Sequence, residues 1–414
     1  MPSINPPPAG PCYLEIMFAI ATSNVGFSTS SLRAASGEDL DDRSGEIRVR
    51  REDGFDFSSR AYLEIFEASG ATAFQHPTWL RNVYGALAPY RRAEKVVVTL
   101  RHDDGRLAGV LPLILRRKAG IRLLETTDLG VSDYAAVPLD RGVCAGIVGS
   151  PALKRLVADV LPAHDILRIR PIRAEHVCDW RDLLPGAAEP LGFGAPFAPL
   201  GSDYAEWRRT RPSKSLLGRL ARADKRIAKA GGAELLRLVA PVDIRGALSE
   251  IQRLRAGRFA GDLIQDDFVR DFYAAVAIDG GDEHLAEIYR LDIGGTPTGY
   301  VYGLGYRGRF YYLLIGCDYE NHGRASPGLV LYDRIIADWI GRGGDVFDFT
   351  IGDEPFKADF GTETTPMFAL VDAPTWRGKL ALAAFRAHAH LGRSAGGNKS
   401  GEDAHASPGT GGDK

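Results

Sequence analysis

The chain has 414 residues but only four cysteines, Cys12, Cys144, Cys178 and Cys317, and no two share a C-x-x-C spacing. A disulfide framework and a thiolate zinc site are therefore not implied, and reduced thiols in a cytoplasmic protein are the simpler expectation. The nine histidines include no H-E-x-x-H pattern, so no metal site is expected. Charge of one sign is lacking too: the formal net charge is −2, which gives no global reason to expect DNA or a membrane surface as partner. The apolar run from Tyr13 to Ile20 follows no basic residue and is too short to span a bilayer. Nucleotide-binding glycine loops (G-x-G-x-x-G, G-x-x-x-x-G-K-[ST]) are missing from any strand–helix context, and the G-x-S-x-G elbow of serine hydrolases is absent.

What is present is globular: 45% hydrophobic and 25% charged residues, in a chain longer than one ordinary domain. Residues 1–45 and 386–414 are rich in small and polar residues and read as a disordered leader and tail. Between them two α/β lobes are expected, 46–201 and 202–385. In the first, Lys95–Arg101 and Leu107–Arg116 read as a hairpin turning at Asp103 to Gly105. A helix near Ala152–Val160 then leads to a strand Asp165–Ile172.

The second lobe carries the sharpest pattern. Residues 309–316 are aromatic and β-branched and read as a strand, and Asn321 to Gly328 is a loop of small and turn-forming residues. A helix with Leu331, Ile335, Ile336 and Trp339 on one stripe follows, then a strand from Val346 to Ile351. A strand feeding a small-residue loop that opens a helix aims bare N–H groups and the positive end of a dipole at one spot, which suits a phosphate. The plain alternative for Ser326 to Gly328 is an N-cap followed by a helix-starting proline, with no ligand.

Ser326-Pro327-Gly328 before an apolar helix, then Asp348-Phe349, Gly352, Phe356-Lys357 and Phe360-Gly361, resembles the GNAT superfamily of acyltransferases. The branch it looks most like is the BioF-like or CelD-type group of bacterial polysaccharide genes, akin to the FemAB aminoacyl transferases. His76-Pro77-Thr78-Trp79, Leu107 to Leu113, Ser132-Asp133-Tyr134 and Ser213-Lys214 extend the resemblance over roughly residues 55–375. It implies tandem GNAT-like lobes, each a mixed, mostly antiparallel sheet flanked by helices, the first degenerate and the second catalytic.

The resemblance further implies an acyl-CoA donor, acetyl-CoA foremost, with its pyrophosphate on the loop of Arg324, Ser326, Gly328 and Leu329. Two splayed strands would admit the thioester near Gly316, which fits a bulge or close ligand approach but could equally just end its strand. Lys357 would stabilise developing negative charge, the plain alternative being an exposed surface lysine. Asp348, alone among phenylalanines, either caps neighbouring backbone or faces a cavity and collects an amine proton. The residue before the lysine is normally tyrosine in this group and is Phe356 here, so Tyr319 or Tyr332 would have to serve the departing thiolate. The acceptor implied is a sugar or small amine; the alternatives are FemAB-like aminoacyl transfer and, given the departing loop and Phe356, a lobe that keeps the fold as a non-catalytic scaffold. The basic helix Ser213–Ala230 reads as a solvated face or a partner for CoA phosphates, a nucleotide-linked sugar or tRNA, with tRNA the weakest of these.

Overall fold

A computed structural model describes residues 47–140, 149–258, 261–280 and 285–396. Cys12, Cys144, the leader and the end of the tail lie outside them. The described residues form one twelve-stranded sheet: β1 (Arg48–Arg51), β2 (Glu94–Arg101), β3 (Leu107–Lys118), β4 (Ile121–Thr126), β5 (Ile166–Arg173), β6 (Ala187–Pro199), β7 (Ala233–Arg237), β8 (Ala286–Ile293), β9 (Thr296–Tyr306), β10 (Arg309–Cys317), β11 (Val346–Asp348) and β12 (Glu363–Asp372). The principal helices are α1 (Arg60–Ala68), α2 (Pro77–Asn82), α3 (Pro151–Val160), α4 (Val177–Leu183), α5 (Tyr204–Thr210), α6 (Lys214–Lys229), α7 (Pro241–Arg255), α8 (Asp267–Asp279), α9 (Pro327–Gly341) and α10 (Trp376–Gly396). The mixed α/β architecture expected from the sequence is the one observed. The helix α10 runs to Gly396, through residues that the sequence reading places in the tail.

The sheet order, β1-β2-β3-β4-β5-β12-β6-β11-β10-β9-β8-β7, is a topological repeat. Exchanging each of the first six strands for its counterpart six places on returns the same order from the other end. The pairing senses agree: β4 lies parallel to β5 and β10 parallel to β11, while every other neighbouring pair is antiparallel. The closing strands are exchanged. β6 leaves the first half to lie against β11, and β12 returns from the second half to lie against β5; the two then pair with each other at the centre. The division at 201/202 falls just after β6, yet neither lobe is a continuous piece of chain.

β6 is the strand that the sequence hides. Pro190, Gly192, Gly194 and Pro196 argue against a central strand. Its neighbours explain the composition: a Cβ on Gly194 would stand 2.2 Å from Thr364 Cγ2, and the carbonyl of Pro196 accepts the Phe349 N–H at 2.9 Å. The β12 side shifts register between Pro366 and Phe368, next to Pro190, whereas Pro196 stays in register opposite Thr364.

Three apolar clusters hold the layers. One face of the sheet is covered by a core common to both halves, with Tyr62, Phe66, Phe74 and Trp79 packed into one cluster with Leu248, Ile251, Phe272 and Tyr302. The opposite face carries two separate cores, one over the first half with Val157 and Trp180 and one over the second with Leu216, Ile335 and Phe347. At about 1.5–3 kcal/mol for each large side chain removed from water, the common face locks the lobes together.

Candidate active site

The parallel strands β10 and β11 pair over only three positions, from Arg309 with Val346 to Tyr311 with Asp348. Thr350 then turns away with φ 55°, and its hydroxyl rather than a backbone N–H donates to the Tyr312 carbonyl, at 2.8 Å. The strands therefore splay. On its other side β10 bulges between Tyr312 and Leu314, three residues before the glycine expected to mark the spot. Gly316 has a different job: a Cβ there would sit 2.8 Å from Ile251 Cα, so the glycine lets α7 lie on the strand. The Ile315 carbonyl accepts from Arg255 Nη1 at 3.2 Å, and Asp262 holds that guanidinium through contacts of 2.7 and 3.1 Å.

The loop after β10 begins with Asp318, whose carboxylate accepts the Asn321 N–H at 3.0 Å and fixes a single turn. Ser326 is left-handed, at φ 51° and ψ 52°, and its side chain makes no cap to α9. The plain N-cap alternative is thus not realised. A non-glycine residue held there costs on the order of 1–3 kcal/mol. Pro327 brings no N–H, which leaves those of Gly328 and Leu329 at the helix start. The hydroxyl of Tyr319 covers Gly328, 2.5 Å from where a Cβ would stand. Arg226 of the basic helix donates to the Arg324 carbonyl, and the Arg258 guanidinium lies 4.4 Å over the Tyr319 ring. Arg324, Ser326, Gly328 and Tyr319 are therefore brought together, with Arg226 and Arg258 beside them. Arg258 was missed, because nothing in the local sequence ties residue 258 to residue 319.

Tyr319 meets Cys317 at the end of the strand. The Tyr319 side chain is 41% exposed, yet desolvation around its hydroxyl, reinforced by the neighbouring thiol, raises the phenol above its ordinary value, and burial pushes the Cys317 thiol up to about 12. Both hold their protons at neutral pH. Tyr332 stacks on Phe356 with centroids 5.6 Å apart and meets Tyr312 edge-on at 5.2 Å. A buried aromatic box closes the inner end of the splay.

Asp348 is fully buried and completely engaged. It accepts from Tyr134 Oη at 2.8 Å, the Thr350 N–H at 2.8 Å, Arg173 Nη1 at 3.0 Å and Arg309 Nη1 at 2.8 Å. A carboxylate between two guanidiniums, a phenol and an amide is an anchor, and no oxygen is left to collect an amine proton. The expected alternative of a structural acid is the one its neighbours support. Arg173 and Tyr134 belong to the first half, so Asp348 knots the lobes. The paired motifs of the first half feed the same knot: Trp79 Nε1 donates to Ser132 Oγ at 3.0 Å, and Gln75 Nε2 to the Tyr134 carbonyl at 2.9 Å.

Lys357 is 3% exposed, which excludes a surface role. Its ammonium donates to the carbonyls of Phe349, Ile351 and Gly352, each at 3.1 Å, and pairs with Glu354 at 2.8 Å. Three hydrogens are committed to four acceptors, so no donor remains for an oxyanion. The lysine pins the segment that leaves β11 and so holds the splay open. Among the described residues no cluster of side chains could hold a metal ion.

Residues 214–358 match the family model described as an acetyltransferase (GNAT) domain. The second half of the chain carries a GNAT acyltransferase domain. That domain contains α6, the loop before α9 and the whole splay. No curated protein matches the chain. Among solved structures, FemX is 11% identical, with a TM-score of 0.53 over 74% of this chain and 93% of its own, which speaks for a common fold. A lysylphosphatidylglycerol synthetase domain from Agrobacterium fabrum is 13% identical, with a TM-score of 0.46 over 80% of this chain and 96% of its own. A tandem GNAT protein of the clavulanic acid pathway is 10% identical, with a TM-score of 0.40 over 80% and 100%. No helix among the described residues is long and apolar enough to cross a membrane.

Proposed function

We propose that the GNAT domain transfers an acyl group, acetyl foremost, from an acyl-CoA to an amine or hydroxyl of a sugar or small metabolite. One observation carries this reading: the parallel pair β10/β11 opens after Tyr311 directly beside a loop that gathers Arg226, Arg258, Arg324 and the N–H groups of Gly328 and Leu329. The thioester enters the splay and its phosphates lie on the loop. The nucleophile's nitrogen or oxygen bonds to the carbonyl carbon, the C–S bond breaks, and the nucleophile's proton passes to solvent. Tyr319 donates a hydrogen bond to the departing sulfur. Full proton transfer from the phenol is not needed: a thiolate with an ordinary pKa of ~8.5 takes its own proton from water.

Aminoacyl transfer of the FemAB kind is the second reading, favoured by the exposed face of Arg222, Lys225, Arg226 and Lys229 on α6, which would suit a polyanionic donor. A turnover assay with acetyl-CoA in one arm and aminoacyl-tRNA in the other decides. Turnover, or donor hydrolysis, with acetyl-CoA alone is expected; activity with the tRNA alone overturns the first reading.

A further inference from the structure

The helix α10 is apolar on two sides. Its inward side is seated on the sheet: a Cβ on Gly378 would overlap the Asp165 carbonyl, and Leu382 and Phe385 pack against the common core. Its outward side carries Trp376, Leu380, Ala383 and Ala387, spaced at helical intervals and aligned in one exposed stripe. Trp376 is 74% exposed and Leu380 64%, whereas Trp79, Trp180, Trp207 and Trp339 are all buried. One exposed leucine is ordinary. A tryptophan and a leucine one turn apart, on a helix whose other side is already packed, form a surface open to a further partner.

The charge around the stripe has one sign. From Ala373 to Gly401 the sequence holds no Asp or Glu, and it holds Arg377, Lys379, Arg386, Arg393 and Lys399. Arg386 is taken by Glu189. Arg377 and Lys379 are exposed and flank the stripe, one on each side. Arg377 Nη2 donates to the Gly120 carbonyl at 3.0 Å, a neutral partner that leaves the cationic charge in place. The same bond ties α10 to the turn between β3 and β4, where Arg117 and Lys118 are exposed as well. The nearby acids are Asp165, buried beneath Gly378 and engaged by Arg122 and Thr375, and Asp372, half-buried at the end of β12.

We infer that this face of α10 is a docking surface for an anionic phospholipid bilayer. The helix lies in the plane of the headgroups, with Trp376 and Leu380 inserted and Arg377 and Lys379 level with the lipid phosphates. An indole suits the boundary between water and acyl chains, where its ring is buried and its N–H stays wet. A nucleic acid would answer the cations and leave the leucine in water. The charged residues within α10 keep it on the surface, and no described helix is long and apolar enough to cross a membrane. Two apolar side chains and a few cations give binding that is reversible and sensitive to salt.

Flotation of the full chain with vesicles tests this, one set of phosphatidylcholine alone and one of equal parts phosphatidylcholine and phosphatidylglycerol. The protein should float with the anionic vesicles at low salt and remain behind with the neutral ones. Trp376 is the one exposed tryptophan, so tryptophan emission should shift to the blue on binding, and brominated lipid should quench it. Trp376→Ser and Leu380→Ser should each weaken binding by roughly tenfold or more, as loss of a large buried apolar side chain does. Lys379→Glu should weaken it by roughly tenfold through charge. All three side chains are exposed, so thermal melts should be unchanged. Lys225→Glu, on the exposed basic face of α6, should leave vesicle binding intact. Absence of flotation with anionic vesicles at low salt overturns the inference, as does binding lost in Lys225→Glu and kept in Trp376→Ser. A chain that ignores both vesicles and forms dimers abolished by Trp376→Ser also overturns it and assigns the stripe to a second copy. No acyl donor takes part, so this inference and the transferase reading fail separately.

Discussion

The two halves share one topology and fill it in opposite ways. In the second lobe the parting of β10 from β11 is lined by Tyr312, Tyr332 and Phe349, and the lysine that fixes it spends its hydrogens on backbone carbonyls. In the first lobe the parting of β4 from β5 is lined by guanidiniums clamped on a buried carboxylate. The same strand geometry thus makes an apolar slot beside the loop that opens α9 in one place and a compact cavity lined by arginines and two carboxylates in the other. A splayed parallel pair is a general way to open a sheet, and the residues two or three positions past the last pair decide what enters.

The sharpest break in this comparison is to separate the halves. A chain ending before Glu363 lacks the strand that lies against β5 and β6, so the largest expected effect is failure of both lobes to fold. Circular dichroism and limited proteolysis would read it, and a stable, protease-resistant first lobe would show that the exchange is dispensable. Next comes the knot between the lobes. Asp348→Ala leaves Arg173 and Arg309 without their shared partner, and a loss of about 3–5 kcal/mol in urea denaturation is expected. If the variant melts like the parent but turns over no substrate, Asp348 belongs to the chemistry after all.

His76 supplies a pH-dependent contribution at the same junction. Burial lowers its pKa from 6.5 to about 4, and its Nδ1 accepts the Thr78 N–H at 3.2 Å, which only the neutral ring can do. The unfolded ring binds its proton first, so stability is full above pH 6.5 and falls as pH drops towards 4, by about 3 kcal/mol at most. His76→Asn keeps a cap acceptor and should flatten that part of the profile; an unchanged profile would place the titration elsewhere. The smallest effect belongs to the second lobe's own opening. Tyr319→Phe removes one hydrogen bond to the leaving sulfur, and kcat should fall roughly ten- to a hundredfold with KM nearly unchanged. A shift in KM alone would make Tyr319 a wall of the donor site.

Local signals served the sequence reading well and long-range ones did not. The hairpin at Asp103 to Gly105, the strand β10 and α9 are where turn chemistry and periodicity place them, because each is decided by neighbours in sequence. β6 was invisible, since its prolines and glycines answer to Thr364 and Phe349, more than 150 residues away. The loop residues were legible through their spacing. Asp348 and Lys357 were legible as special positions, but their partners were not: an acid amid phenylalanines looks the same from sequence whether it faces a substrate or two arginines.

The exchanged strands also set an order of events at the ribosome. Every element that precedes β6 in the chain is synthesised long before β12, yet the first lobe's sheet has an open edge beside β5 until β12 arrives. For most of translation that edge is an unpaired row of backbone donors and acceptors next to the apolar residues of the common core. The nascent chain is therefore exposed to aggregation until almost its last folded strand has emerged, and chaperone demand should peak late in synthesis rather than at the end of the first lobe.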